Sequence, residues 1–467
     1  MGKFKYKKTF IALCIAACVI IYFLIALLPY SGALYVSAET RASFAMENFF
    51  GQEIIPEQVM LLDNPQESFF HRVNLISNAQ EQIFFASYVI HSGVSTDIIV
   101  GALLSAADRG VTVKIVTDGF TGNIPATYRN VLSGHENICL YRFNSFNFFR
   151  PQYANSSFHD KYMTVDNRYM ILGGRNVGDK YFLPSGFTGR QSLDREVLVY
   201  NTDLAFSGII AEVNDLFNET ITSSYASSVS PRSSRNSEAE RAHFIALYNA
   251  YKASLPPRDF DYLSNTVGVY NITLLHDPIG STKKESVIAY NLMMMTLNSE
   301  RIIAQSPYLV MTNRTLEIFA DTVRGRDFTL LTNSLASTPN LPAFSSYYVN
   351  RRNILQTGIT IYEFQATNTS IHAKTYLFDG RLTVIGSFNL NERSIRSDTE
   401  SVLVIDSREF HDLTLDVING YMARSLRVAA DNTYEPNDHV DAIPVSRRRR
   451  ALYQVAGHLL RGVRFMI

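Results

Sequence analysis

Two stretches of this chain carry histidine, lysine and aspartate at one spacing. They are His159, Lys161 and Asp166 in FHDKYMTVDNRYMILGGRN (158–176), and His372, Lys374 and Asp379 in IHAKTYLFDGRLTVIGSFN (371–389). Seven residues beyond each aspartate a glycine opens G-x-x-N, which ends at Asn176 and Asn389. On a strand, residues two apart project to one face, so each histidine points with its lysine. The asparagines close the next strand and can reach back to the same spot. Packed about a pseudo-twofold, the two stretches would pool two imidazoles, two ammonium groups and two amides. Such a set suits a phosphodiester, whose nonbridging oxygens the cations and donors neutralise and orient. One imidazole attacks phosphorus to form a phosphohistidine; the other protonates the leaving alkoxide and later deprotonates the incoming hydroxyl. An acidic partner would fix each ring, a place open to Glu196 and Glu400. Asp166 and Asp379 are counted with the catalytic motif, but at turns they are better placed to hold backbone or the motif lysines. No metal or other cofactor is expected, since the lysines supply the positive charge.

The elements that must position these groups recur in two halves. In the first, an apolar run at 82–90 leads to a helix-like stretch ending at Gly110, then strands at 111–117 and 138–143. In the second, 301–310 leads to a helix-like stretch ending near Gly325, then strands at 328–332 and 359–364. Strands rich in β-branched and aromatic residues alternate with helix-length segments, which predicts an α/β architecture. Each motif then reads as a pair of short strands joined by a turn, at Asp166-Asn167 or Asp379-Gly380. Both continue to an acidic element and a further strand: Asp194-Arg195-Glu196 before VLVY, and Asp398-Thr399-Glu400 before SVLVID. The organisation follows: a basic N-terminus (1–8), an apolar anchor (9–28), a first repeat (50–222), a linker or insertion (223–262), a second repeat (263–430) and a basic tail (431–467). Within the linker, 223–239 is rich in Ser and Arg and reads as a mobile segment or surface loop.

The two motif stretches, with the trailing GG-x-N and GS-x-N, resemble the HKD motifs of the phospholipase D superfamily. GGRNVGDKYF, GSFNLNERS, SPYLVMT and LLTNSLAS are similar to segments of its bacterial cardiolipin synthase branch. The resemblance runs from about Val59 to about Ser425. It implies two α/β-sandwich repeats packed about a pseudo-twofold around one shared site, with His159 as nucleophile and His372 as acid and base. The residues alone leave that order open. Two elements depart from the family's usual pattern, Ser87-Tyr88-Val89-Ile90-His91 and Leu193-Asp194-Arg195-Glu196, and they bear on pocket shape and acceptor choice.

The chain has 467 residues and zero formal net charge, so no global field draws it to nucleic acid, and any anion site must be local. Of its three cysteines, Cys14 and Cys18 lie in the anchor, which leaves Cys139 alone in the body and excludes a disulfide framework there. The stretch 9–28 carries no charge and is long enough to span a bilayer core. Lys3, Lys5, Lys7 and Lys8 precede it, so the positive-inside bias places the catalytic body outside the cytoplasm. A long cleavable signal is the rival, with small residues at Val36-Ser37-Ala38. Sequons at Asn155 and Asn368 flank the motif histidines, where glycans would crowd the pocket; a bacterial envelope is preferred over an ER lumen. The first repeat also holds an aromatic insertion, 144–153, either a packed loop or one that dips into membrane. His276 and Tyr308 are flagged as possible lining of the acceptor side. The tail 447–467 spaces Leu452, Val455, Leu459 and Val463 along one helical face. It is read evenly as a lipid-surface segment or a docked terminal helix.

These features point to a transferase moving a phosphatidyl group from phosphatidylglycerol to a second phospholipid at a membrane. A phospholipase D ending on water shares every catalytic residue and differs only in acceptor access. A nuclease fits the neutral charge and the anchor poorly, and an inert membrane scaffold would leave six chemistry-bearing residues unused. Phospholipid substrates and a membrane are the expected partners, with no nucleic acid.

Overall fold

A computed structural model describes residues 2–122, 124–153, 155–231, 236–255, 260–280 and 284–467. The side chains of Lys3, Lys5, Lys7 and Lys8 lie outside the described residues. Helix α1 (Gly2–Leu27) contains nearly all of the apolar stretch, and Thr9–Tyr30 is long and apolar enough to cross a membrane, its most apolar 18 residues having mean hydropathy 3.1 and none of them buried.

Beyond it lie two sheets of one design. The first repeat contributes β1 (Glu57–Leu62), β2 (Gln82–Ser87), β3 (Thr112–Asp118), β4 (Ile138–Phe143), β5 (Tyr162–Val165) and β6 (Tyr169–Gly173). It continues with β7 (Gln191–Leu193), β8 (Glu196–Asn201) and β9 (Ala226–Ser228). The second contributes β10 (Val267–Gly268), β11 (Asn271–His276), β12 (Arg301–Gln305), β13 (Asp327–Asn333) and β14 (Thr360–Phe364). After these come β15 (Thr369–Ile371), β16 (Thr375–Phe378), β17 (Leu382–Gly386), β18 (Ser401–Asp406) and β19 (Ser425–Arg427). The orders are β10-β1-β8-β6-β5-β2-β3-β4-β9 and β11-β18-β17-β16-β12-β13-β14-β19. Apart from the added β10, the second order is the first one repeated. In both, three neighbouring strands are parallel and the motif hairpin pairs antiparallel beside them.

Helices cover the outer faces: α2 (Pro65–Asn78) and α3 (Val94–Asp108) on the first sheet, with α4 (Ile209–Thr222) returning to the inner side and α5 (Ser237–Ser254) outside. The second repeat has α6 (Val287–Leu297), α7 (Asn313–Val323), α8 (Leu341–Leu355) and α9 (Arg408–Met422), the last in the place of α4, with α10 (Arg447–Leu459) at the end. Each sheet has its own outer core, while a third cluster joins Val59, Met170 and Val199 of one sheet to Ile385, Leu403 and Ile405 of the other. The α/β-sandwich repeats of the sequence reading are therefore packed face to face.

One segment differs from expectation, and two bear on readings that the sequence left open. Much of 223–239 is ordered into structure: β9 extends the first sheet, and α5 starts at Ser237 and buries Phe244 and Tyr248 against α3, while 232–235 lie outside the described residues. Apolar residues just past the Ser/Arg-rich run drive that docking. In the tail, α10 packs on α8 through Tyr453 and Gly457, where an added Cβ would meet the Ser345 carbonyl at 2.4 Å. The predicted apolar face of Leu452, Val455 and Leu459 is left outward. The insertion 144–153 splits its aromatics: Phe148 stacks on Tyr22 of α1 at 5.0 Å, while Phe149 is 89% exposed.

Candidate active site

The hairpins that carry the motifs are fixed at their far ends. Asp166 and Asn167 take left-handed φ values of 52° and 53°, and Asp379 and Gly380 take 47° and 68°, the tight primed turn that matches strand twist. Asp166 accepts the backbone N–H groups of Gln80, Glu81 and Gln82 at 2.8–2.9 Å. Asp379 accepts those of Glu300 and Arg301 at 3.0 and 2.8 Å. Asp166 and Asp379, counted with the catalytic motif in the sequence, do not face the histidines here: each carboxylate staples the hairpin turn to the start of the neighbouring parallel strand, at the opposite end of the hairpin.

At the near ends, the residues before each His-x-Lys cross to the other repeat. Thr369, Ser370 and Ile371 of β15 pair in parallel with Gln191, Ser192 and Leu193 of β7, and Phe158 bridges Thr399. Within each repeat an acceptor at the end of the middle parallel strand holds the same segment: Asp118 takes the Phe158 N–H and Asn333 takes that of Ile371. The histidines thus sit where the two sheets interlock.

Both imidazoles are oriented through Nδ1 by a carboxylate of the opposite repeat. His159 Nδ1 lies 3.0 Å from Glu400 and His372 Nδ1 lies 2.5 Å from Asp194. Glu400 therefore takes the predicted place and Glu196 does not. Register explains it: Gly173 pairs with Glu196 whereas Gly386 pairs with Val402, so Asp194 is the counterpart of Glu400. Glu196 points instead to Arg72 at 2.7 Å and Arg175 at 3.2 Å, a buried ion-pair cluster behind the pocket. The paired D-x-E sequences had suggested the wrong alignment by two residues.

Lys161 and Lys374 are buried, and each Nζ donates to the carbonyl of its own motif histidine. Lys374 also lies 2.8 Å from His372 Nδ1 and 4.0 Å from Asp194. Gly174 belongs to the same wall: a Cβ there would sit 2.3 Å from Asp194 Oδ1 and 3.1 Å from Lys374 Cδ. Asn176 donates to the Tyr181 hydroxyl at 3.1 Å, and the Tyr181 ring contacts His372 at 5.7 Å. Asn389 bonds through its backbone N–H to Ser394, whose hydroxyl donates to Glu400 at 2.5 Å. The buried amide oxygens of Asn176 and Asn389 have no partner among the described residues. Tyr88, from the departing Ser87–His91 element, packs edge-on against His159 at 4.8 Å and under Lys161 at 5.1 Å. Tyr308 lies in the loop between β12 and α7, where its phenol feels Arg393, Asp398 and Glu400, and burial raises it. His276 faces a surface groove with Glu212, Asp215 and Glu219, away from the motif histidines.

The electrostatics are lopsided. Burial lowers His159 well below its ordinary value, helped by Lys161, and lowers His372 to about 4, helped by Lys374. Burial pushes Lys161 down to about 7 and Glu400 up to about 7. Burial opposes ionisation of Asp194 too, but Lys374 and His372 outweigh it and hold that carboxyl well below the usual range. The pocket thus pairs one firm carboxylate with His372 and one proton-sharing acid with His159. Two buried lysines whose charged forms burial disfavours stand ready for an anion, which would favour those charged forms as a phosphodiester binds. Among the described residues no group of His, Cys, Asp and Glu is placed to hold a metal ion.

Comparison with known proteins agrees with this geometry. A family model described as "Cardiolipin synthase, PLD-like domain" matches residues 73–221 and 293–420, so each match holds one His-x-Lys. Cardiolipin synthase C of Escherichia coli K12 is 28% identical over 400 residues, covering 75% of this chain and 82% of that protein. Cardiolipin synthase A of Wigglesworthia glossinidia brevipalpis is 23% identical over 369 residues, covering 78% and 67%. In structure, phosphatidylserine synthase of Haemophilus influenzae Rd KW20 is similar with a TM-score of 0.62 at 14% identity, over 93% of this chain and 97% of that one, and so shares the fold. The family match spans more than half of the residues and includes both interlocked motifs: the chain belongs to the phospholipase D superfamily, in its cardiolipin synthase branch.

Proposed function

We propose that this protein is a membrane-anchored phosphatidyltransferase that moves a phosphatidyl group from phosphatidylglycerol to a second phospholipid, forming cardiolipin. The observation that carries the reading is the crossed pair of oriented imidazoles between two buried lysines. His159 Nε2 attacks phosphorus; an N–P bond forms as the P–O bond to glycerol breaks, and His372 gives its proton to the departing alkoxide. The acceptor hydroxyl then loses its proton to His372, its oxygen attacks phosphorus, and the N–P bond to His159 breaks. Roles divide this way because the ionised Asp194 favours a transient imidazolium at His372. Glu400, near neutrality, leaves His159 uncharged with Nε2 free. An incoming phosphodiester anion would offset the lysine charge that disfavours the imidazolium, so substrate itself would load the acid. Lys161, Lys374, Asn176 and Asn389 hold the nonbridging oxygens.

The lipid class rests on the names of the relatives and on α1, which would tether the pocket to a bilayer. Incubation with labelled phosphatidylglycerol, with and without phosphatidylethanolamine, tests it: cardiolipin supports transfer, whereas phosphatidic acid with free glycerol means that water is the acceptor. Full activity in both His159→Ala and His372→Ala would refute the mechanism. An acid-labile, base-stable phosphate on the quenched enzyme is expected, and it disappears in His159→Ala. The extracytoplasmic orientation has its own test. Cys139 is exposed, so an impermeant maleimide should label it in intact spheroplasts, and Cys139→Ser should abolish that label.

A further inference from the structure

The second repeat contains a cavity of about 410 Å³ on the outer side of its sheet, between α6, α7 and the segment that follows α1. That volume lies in the roughly 300–1,000 Å³ range of small-molecule sites. We infer that it takes one acyl chain of the phospholipid substrate.

Helix α6 (VIAYNLMMMTL) is apolar nearly all round, a composition that belongs to a fully buried helix. Yet Ala289, Tyr290 and Met293 are only half-buried and face the cavity. In the first repeat, the outer helix layer is closed by α5, which packs Phe244 and Tyr248 onto α3. The second repeat spends its last helix elsewhere, since α10 docks on α8. The lining makes no polar demand: the Thr296 and Thr322 hydroxyls are donated to carbonyls one turn back in their own helices, and the Thr315 hydroxyl is paired with that of Thr312. Methionine side chains suit a flexible hydrocarbon, because they repack at low cost.

Two placements choose the occupant. Leu34 and Val36 line one side and Arg41 is at the rim, while the membrane-crossing stretch ends at Tyr30. Four residues of chain span at most roughly 14 Å, so the lining begins at the bilayer surface. The opposite wall contains Phe388 and Leu390, the neighbours of Asn389 in the pocket. A lipid held with its phosphate at the histidines can thus lay a chain toward this wall.

The inference rests on the phosphatidyl-transfer reading, and the test separates the two. Full-length protein in phosphatidylcholine vesicles is irradiated with phosphatidylglycerol carrying a diazirine in one acyl chain, and labelled peptides are mapped by mass. Label is expected in 287–297 and 34–41, reduced in Ala289→Trp and unchanged in the surface control Leu413→Trp. Ala289→Trp should also raise KM for dioleoyl over dihexanoyl phosphatidylglycerol by roughly tenfold, equivalent to about two methylene groups no longer buried. Label confined to α1 and the 146–149 loop overturns the inference, as does an equal KM change at both chain lengths. Label in 287–297 that Ala289→Trp removes, from an enzyme that never turns phosphatidylglycerol over, keeps the cavity and ends the transfer reading instead.

Discussion

Replacing Asp194 by Asn keeps the shape of the pocket and removes one charge. The carboxylate lies 2.5 Å from His372 Nδ1 and is held ionised by Lys374 and His372, so it stabilises the imidazolium in full. With charge centres about 4 Å apart and an effective dielectric near 20, the interaction is worth about 4 kcal/mol, close to a thousandfold in rate. That loss should fall only on steps where His372 must carry a proton. With phosphatidylglycerol the leaving group is a poor alkoxide, so Asp194→Asn should slow transfer about 10³-fold. With a p-nitrophenyl phosphodiester the leaving group departs unprotonated, and the nitrophenolate burst in single turnover should slow less than about tenfold. His372→Ala should give the same pattern, while His159→Ala should abolish both the nitrophenolate burst and the transfer from phosphatidylglycerol. Equal losses on both leaving groups in Asp194→Asn would refute the division of roles, because the carboxylate would then serve the attacking imidazole.

Three further outcomes follow from the geometry. Asp166→Ala and Asp379→Ala should each lower unfolding free energy by about 2 kcal/mol through lost acceptors for backbone N–H groups, with kcat per folded molecule unchanged. A thousandfold fall in kcat at unchanged melting temperature would return them to the catalytic set. Gly174→Ala should drive a methyl into Asp194 and Lys374, lowering kcat far more than KM on phosphatidylglycerol; wild-type kinetics would mean that the wall yields. Glu57, buried beneath the start of α4, is raised by burial from 4.5 to about 7. Its folded pKa exceeds its unfolded one, so stability is full below about pH 4.5 and declines as pH rises through 7. The decline reaches at most about 3 kcal/mol. Glu57→Gln should flatten the melting-temperature profile between pH 5 and 8, and a parallel profile would disprove the assignment.

The parts of this protein that local chemistry specifies were legible in its sequence. Alternating strands, the Asp-Asn and Asp-Gly turns and the doubled His-x-Lys each need only a few neighbouring residues, and each lies where the pattern put it. What failed was set by pairing over long distances. The choice between Asp194 and Glu196 depends on the β6–β8 register, and both crossed pairs join residues more than 170 positions apart. The fate of 223–239 turned on Phe244 and Tyr248, which lie beyond the window whose composition was read. For the tail, left open between a lipid surface and docking, the helix docks through a tyrosine and a glycine, since close backbone approach, and not apolar spacing, selects its buried face.

The exchange of acids between the repeats makes this enzyme a two-key lock. Each half brings a histidine that it cannot aim, and holds the carboxylate that aims the other. If the chain were severed between β9 and α5, each fragment would be chemically blind until its partner seated. Recovery of turnover on mixing would then report assembly of the interlock itself. The arrangement also ties mutational fates together, because a shift in the register of one repeat disarms the histidine of the other. Drift in either half is therefore policed by the opposite one.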